Sequence, residues 1–211
     1  AGTLTMDQGA AIEALAKRFG QHLTNSTRNT GVPMTQDPLP KLDKTTDETG
    51  FPYLSAIGSL LHISMLTRPD IAFAVGVCSR HSAAFGPEHV RAVKKIIAYL
   101  WHTSNRGIVY IHRTKTFDPA LKIREAVLYE AGRAPVTEQA EQESKKDPCR
   151  IYADADFAGD GTKRSTSGNI TFLAGGPISW SSRLQKLFAL STAESEIYSL
   201  TEALKDATFL K

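Results

Sequence analysis

The chain has 211 residues, 41% of them apolar and 22% charged, with a formal net charge of +3. This is the composition of an ordinary soluble globular protein with one large or two small domains. It contains no apolar run of membrane-spanning length: the longest, residues 57–66, is short and interrupted by His62 and two serines. The first ten residues have neither the basic nor the apolar region of a signal peptide. Cys78 and Cys149 lie far apart without metal-ligand spacing, which fits free thiols in a reducing, intracellular setting. The mild basicity is weak support for a nucleic-acid partner, since the basic residues are spread out. The chain begins without Met, and residues 204–211 still read as helix, so both ends read as cut.

Taken in order, Thr5 and Gln8 have the spacing of a capping box, and Ile12, Leu15, Ala16, Phe19 and Leu23 follow at helical intervals. Residues 25–50 are polar and rich in Thr, Asp and Pro and read as an extended loop. Tyr53, Ile57, Leu60, Leu61 and Ser64 predict a second helix. Pro69 suits the first position of a third, with Ile71, Ala72, Val75 and Cys78 inside. Gly86-Pro87-Glu88 opens a fourth around Val90, Val93, Ile96, Ile97 and Leu100, and residues 108–111 read as a strand. Residues 113–148 hold many charges and few large apolar groups after Leu128, the pattern of a mobile linker or insertion with a partly helical stretch at 124–132. Strands are then expected at 151–157, 168–173 and 178–182, the last resuming at 187–190, with a hairpin at Gly175-Gly176-Pro177. Ser191 and Glu194 form a second capping box. The helix after it is expected to bury Ala193, Ile197, Leu200, Ala203, Leu204 and Ala207, with Glu196 along that stripe.

Carboxylates inside otherwise apolar elements are costly unless a cation is bound there. Asp154 and Asp156 alternate with apolar residues on the first of these strands, and Glu194 and Glu196 open the last helix. Hard oxygen donors of this kind suit Mg²⁺ or Mn²⁺. Spacing alone shows only that the acids can converge; a solvated sheet face is the alternative. Asp156 reads equally as a hydrogen-bonding residue, Glu194 as the cap partner and Asp160 as a turn residue. An aspartyl-nucleophile phosphatase is disfavoured, because Ala158 stands where that pattern wants Thr or Val.

The order strand with Asp, hairpin, strand, helix with Glu resembles the ribonuclease H domain of copia-type long-terminal-repeat retrotransposons. The residues that carry the resemblance are Tyr152-Ala-Asp-Ala-Asp-Phe-Ala-Gly-Asp160, Arg164-Ser-Thr-Ser-Gly168, Ile178-Ser-Trp-Ser-Ser182, Gln185-Lys186 and Leu190-Ser-Thr-Ala-Glu-Ser-Glu196. Upstream, Tyr53-Leu-Ser-Ala-Ile-Gly-Ser-Leu60, Thr67-Arg-Pro-Asp-Ile-Ala72 and residues 86–100 are similar to the segment joining reverse transcriptase to ribonuclease H in those polyproteins. The resemblance implies an α+β fold. A mainly helical connection unit would cover residues 1–112 and a linker 113–148. A truncated ribonuclease H-like domain of three antiparallel strands and a helix would cover 149–211.

The resemblance also implies the chemistry. Asp154 and Glu196 match the first two catalytic, metal-binding carboxylates, and Mg²⁺ or Mn²⁺ would support hydrolysis of the RNA strand of an RNA–DNA hybrid. Later family carboxylates lie beyond Lys211, and Tyr152-Ala-Asp-Ala-Asp is not the polymerase signature Tyr-x-Asp-Asp. Whether this chain is itself an enzyme is therefore left open, with inactivity of the isolated fragment expected. Arg164, Ser165 and Thr166 are candidates for phosphate contacts, with a plain turn as the alternative. Arg91, Lys94 and Lys95 could track a backbone or form a solvated helix face, and Trp180 could stack on bases or fill the core. The implied partners are the hybrid and the rest of the polyprotein, with no membrane, in the cytoplasm, in virus-like particles or in the nucleus. A non-catalytic nucleic-acid-binding or interaction remnant of a decayed or co-opted element is the rival reading.

Overall fold

The computed structural model describes residues 3–20, 31–35, 38–111, 149–159, 163–173 and 175–208. The expected linker at 113–148 and the turn residue Asp160 lie outside the described residues. The fold is mixed α+β, with five α-helices and two small antiparallel sheets among the described residues. In chain order these are β1 (Thr3–Met6), α1 (Gly9–Phe19), α2 (Tyr53–Leu66), α3 (Ala72–Ser79), α4 (Pro87–His102), β2 (Ile108–Ile111), β3 (Cys149–Asp156), β4 (Thr166–Leu173), β5 (Gly176–Leu184) and α5 (Thr192–Thr208).

Helices α1 to α4 form the first unit. Their apolar residues recur every three or four positions, so each helix turns one stripe inward. Ile12, Leu15, Phe19, Leu60, Ile63, Val75, Cys78, Val93, Ile96, Ile97 and Leu100 meet in one buried cluster. Tyr53 lies inside it, stacked on Phe85 at 4.4 Å between ring centroids, and its hydroxyl donates to the carbonyl of Cys78 at 2.8 Å. Burial pushes the Cys78 thiol up to about 12, which leaves it unreactive at neutral pH.

The start of the chain departs from expectation. Thr5 caps no helix: it lies in β1, which pairs antiparallel with β2 from Thr3↔Ile111 to Met6↔Ile108. Asp7 instead accepts the Gly9 N–H at 3.0 Å where α1 begins. Gly107 permits the close return, since a Cβ there would sit 2.6 Å from the Met6 carbonyl oxygen.

Helix α4 opens with an unusual cap. Gly86 has no side chain, and the imidazole of His89 accepts the Gly86 N–H through Nδ1 at 3.1 Å. Its Nε2 faces the Pro40 carbonyl at 3.0 Å, so the neutral ring donates there. Burial disfavours the charged form and lowers the His89 pKa below its ordinary value. The unfolded chain therefore takes up a proton near pH 6.5 while the folded chain resists it. Stability should be flat above that pH and fall as pH drops below it; urea midpoints at pH 5 and 7 measure this. The slope should flatten in His89→Asn, whose amide cannot be protonated in this range.

The second unit is a three-stranded antiparallel sheet in the order β3-β4-β5, with α5 packed on one face. The strands run continuously through Asp154↔Gly168↔Ser182, with one irregularity in the β4–β5 pairing at Thr171/Phe172. No strand continues at 187–190, contrary to expectation. Side-chain hydrogen bonds join the units. Trp180 Nε1 donates to the Ser64 carbonyl at 2.7 Å, Tyr110 Oη to that of Pro177 at 2.8 Å, and Arg80 Nη2 to Thr166 Oγ1 at 3.2 Å.

Candidate active site

Strand alternation sorts the sheet residues. Tyr152, Ile170 and Trp180 pair across the sheet and share the face toward the helical unit, where Trp180 reaches Ser64. Asp154 and Asp156, two and four residues on, share that face. They line a cleft of about 590 Å³ together with Phe73, Tyr152, Trp180 and Ser182. The opposite face is polar and carries α5. Asn169 donates to Asp206 at 3.2 Å, and Gln185 donates to Ser167 Oγ at 2.9 Å and to the Ser195 carbonyl at 3.0 Å.

This polar face overturns the expected burial of α5. The residues pressed on the sheet are Ser195, Ser199 and Ala203, all buried. Ser199 Oγ is within reach of the backbone carbonyls of Asp154 at 2.6 Å and Gly168 at 3.2 Å. Small hydroxyl residues let the helix sit close and satisfy strand carbonyls. Ile197, Leu200 and Leu204 are thereby turned outward, at 65%, 53% and 56% exposure. The start of α5 follows the expected cap: the Glu194 N–H donates to Ser191 Oγ at 3.2 Å. The Glu194 carboxylate accepts the Leu190 N–H at 2.7 Å, which assigns this acid to capping.

Glu196 has a different surrounding. The Glu202 carboxyl is held below its ordinary value first by its hydrogen bond from Lys205, and also by Lys186 and Arg183, so Glu202 marks the β5 side of the helix. At about 100° per residue, Glu196 lies about 120° from Glu202, with Ser199 between them. Glu196 thus flanks α5 on the side of β3. Asp154 stands on β3 itself, whose other edge pairs with no strand among the described residues. The two acids approach this edge from opposite faces of the sheet. Among the described residues no group of three or more His, Cys, Asp or Glu side chains is gathered for a metal ion.

The other candidates divide clearly. Ser165 and Thr166 are buried, and their hydroxyls meet the Ala158 N–H and the Arg80 guanidinium. The Arg164 guanidinium lies 5.1 Å from the Phe188 ring centroid. Lys94 packs over Phe51 at 5.4 Å, Arg91 is exposed, and Trp180 is half-buried with its N–H satisfied.

The residues that sequence reasoning missed lie in Thr67-Arg-Pro-Asp70. Arg68 is fully buried and pairs with Asp70 through Nε at 2.9 Å and Nη2 at 2.7 Å. It also donates to the carbonyl and hydroxyl of Thr103 at 3.0 and 2.6 Å, satisfying the end of α4. Tyr99 Oη completes the shell, donating to Asp70 at 2.8 Å. The available signal was a cation and an anion two residues apart across a proline.

Comparison with known proteins gives these observations a lineage. No family model matches the chain, and no solved structure matches it. The chain is 35% identical over 160 residues to the secreted RxLR effector protein 161 of Plasmopara viticola, covering 75% of this chain and 91% of that protein. It is 38% identical over 172 residues to the retrovirus-related Pol polyprotein from transposon TNT 1-94 of Nicotiana tabacum, covering 79% of this chain. It is 31% identical over 179 residues to that from transposon RE1 of Arabidopsis thaliana, covering 82% of this chain. It spans only 10% of the length of each of these two polyproteins. The chain belongs to one family with these proteins: it is a segment of a transposon Pol polyprotein, and 91% of the Plasmopara viticola protein is similar to it.

Proposed function

We propose that this segment is the beginning of a copia-type ribonuclease H domain with the connection unit before it. In the whole polyprotein it would serve metal-dependent hydrolysis of the RNA strand of an RNA–DNA hybrid. What supports the reading is the order of strand β3 with Asp154, antiparallel β4 and β5, then α5 with Glu196, in a segment 38% identical to a retrovirus-related Pol polyprotein. The two acids stand on opposite faces of the sheet near the β3 edge. The donor chemistry fits: Mg²⁺ binds through one or two carboxylates and completes its shell with waters and substrate phosphates.

Asp154 and Glu196 would hold the ion, which when bound supplies activated water and charge stabilisation at the leaving oxygen. The chain's own contribution is positional. Ser199 clamps the α5 backbone to the carbonyl of Asp154, which fixes the helix flank against the strand that carries the partner acid. Arg164, on its loop before β4, is the member of the Arg164-Ser165-Thr166 run best placed to meet a phosphate.

Manganese binding tests this on the chain itself. Titration of the isotopically labelled chain with Mn²⁺ should broaden amide resonances around Asp154 and Glu196 first. Asp154→Asn or Glu196→Gln should remove that selectivity. Broadening centred on another site, or unchanged in both variants, would refute the assignment. The likeness to a protein named as a secreted effector favours a second reading, an interaction protein without hydrolase activity; it predicts no selective broadening at all.

A further inference from the structure

We infer that residues 38–50 form a strap that His89 fastens over the start of α4 when neutral and releases when protonated. The strap is held at two points along its length. Its Pro40 carbonyl accepts the His89 Nε2–H at 3.0 Å, and its Thr46 N–H donates to the Phe85 carbonyl at 2.9 Å. Leu42 and Thr46 sit against Gly86, where a Cβ would fall 3.0 Å from Leu42 Cδ1 and 2.6 Å from Thr46 Oγ1. Leu39 and Phe85 pack on the helical core beneath. Most of the strap's residues are nevertheless exposed. A segment with so little buried surface opens locally at far lower cost than the core it covers.

The fastening needs one protonation state. Nδ1 must keep its lone pair to accept the Gly86 N–H at 3.1 Å, and Nε2 must carry the proton to meet Pro40. A second proton has only Nδ1 to go to, where it would point at the Gly86 N–H, donor against donor. The ring is fully buried and cannot turn the new N–H to water. The titratable groups around it do not offset this. His81, in the turn after α3, has its ring 4.3 Å from that of His89, and a proton on His81 opposes a second charge at this spacing. Glu88, next to His89 on α4, favours the charged form, but it is exposed and burial outweighs it. The strap's own charges nearest Pro40 and Leu42, namely Lys41, Asp43 and Lys44, are exposed as well.

His89 therefore takes up a proton only as the strap and the cap let go, so acid shifts the balance toward the open form. The closed form is favoured above the ordinary histidine pKa near 6.5 and loses ground as the pH falls below it. On that basis the open population rises about twentyfold between pH 7 and pH 5. Opening bares the apolar contacts of Leu39, Leu42 and Phe85 and leaves the helices beneath them packed.

Amide hydrogen exchange of the 211-residue chain measures this. Corrected for the intrinsic rate, the Thr46 and Gly86 amides should keep one level of protection from pH 8 to pH 7 and exchange about twentyfold faster at pH 5. Low urea should leave their exchange unchanged, since local opening exposes little surface, and should speed that of Val93 and Ile97, which open with the core. His89→Gln should hold both amides at their pH 7 protection, because Gln at this position accepts the Gly86 N–H and takes up no proton. In His81→Gln, which keeps His89, the response to acid should persist. Thr46 and Gly86 amides that share the urea dependence of Val93 and Ile97 would overturn the inference. So would an acid response that survives His89→Gln or disappears in His81→Gln.

Discussion

Arg68→Ala should lower the stability of the folded chain by about 3–5 kcal/mol, the usual cost of removing one partner of a buried ion pair. The guanidinium is fully buried and every contact it makes is internal. Its loss would leave the Asp70 carboxylate with the Tyr99 hydroxyl but without the guanidinium fork, and the Thr103 carbonyl without the guanidinium N–H. Lys at this position would not rescue it, since one ammonium cannot reproduce the fork that meets both carboxylate oxygens. The double variant Arg68→Met/Asp70→Leu should cost less than Arg68→Ala, because no buried charge is left unpaired. Urea unfolding of the three variants measures this. A double variant destabilised as much as Arg68→Ala, or more, would show that the pair is not the organising interaction.

The helical unit was largely legible in the sequence. Its apolar residues recur at helical spacing, and burial follows the stripe in α2, α3 and α4. The helix α5 was not, although its existence and cap were. Periodicity finds the most apolar stripe, and α5 turns that stripe outward because the sheet face beneath it is polar. A helix read alone cannot reveal what it lies upon. Strand β1 was hidden for a related reason: its partner β2 lies about a hundred residues away, and residues 3–6 carry no alternation strong enough to signal pairing.

The candidate acids divide in the same way. The alternation of Asp154 and Asp156 on one strand face was readable, and the structure keeps both on the face lining the cleft. The position of Glu196 relative to them depends on which flank of α5 meets β3, and that is set by Ser195 and Ser199. Neither serine stands out in the sequence. Ser165 and Thr166 looked suited to phosphate by type alone, and their burial follows from the pairing of β4 with both of its neighbours.

A full-length polyprotein carrying this segment should cut the RNA strand of a labelled RNA–DNA hybrid in Mg²⁺ and stop in chelator. Asp154→Asn and Glu196→Gln should each slow cutting by about a thousandfold, equivalent to ~4 kcal/mol in the barrier. Folding should be unaffected, because neither carboxylate is buried. Metal-dependent cutting that survives both substitutions would contradict the account and place the catalytic carboxylates elsewhere.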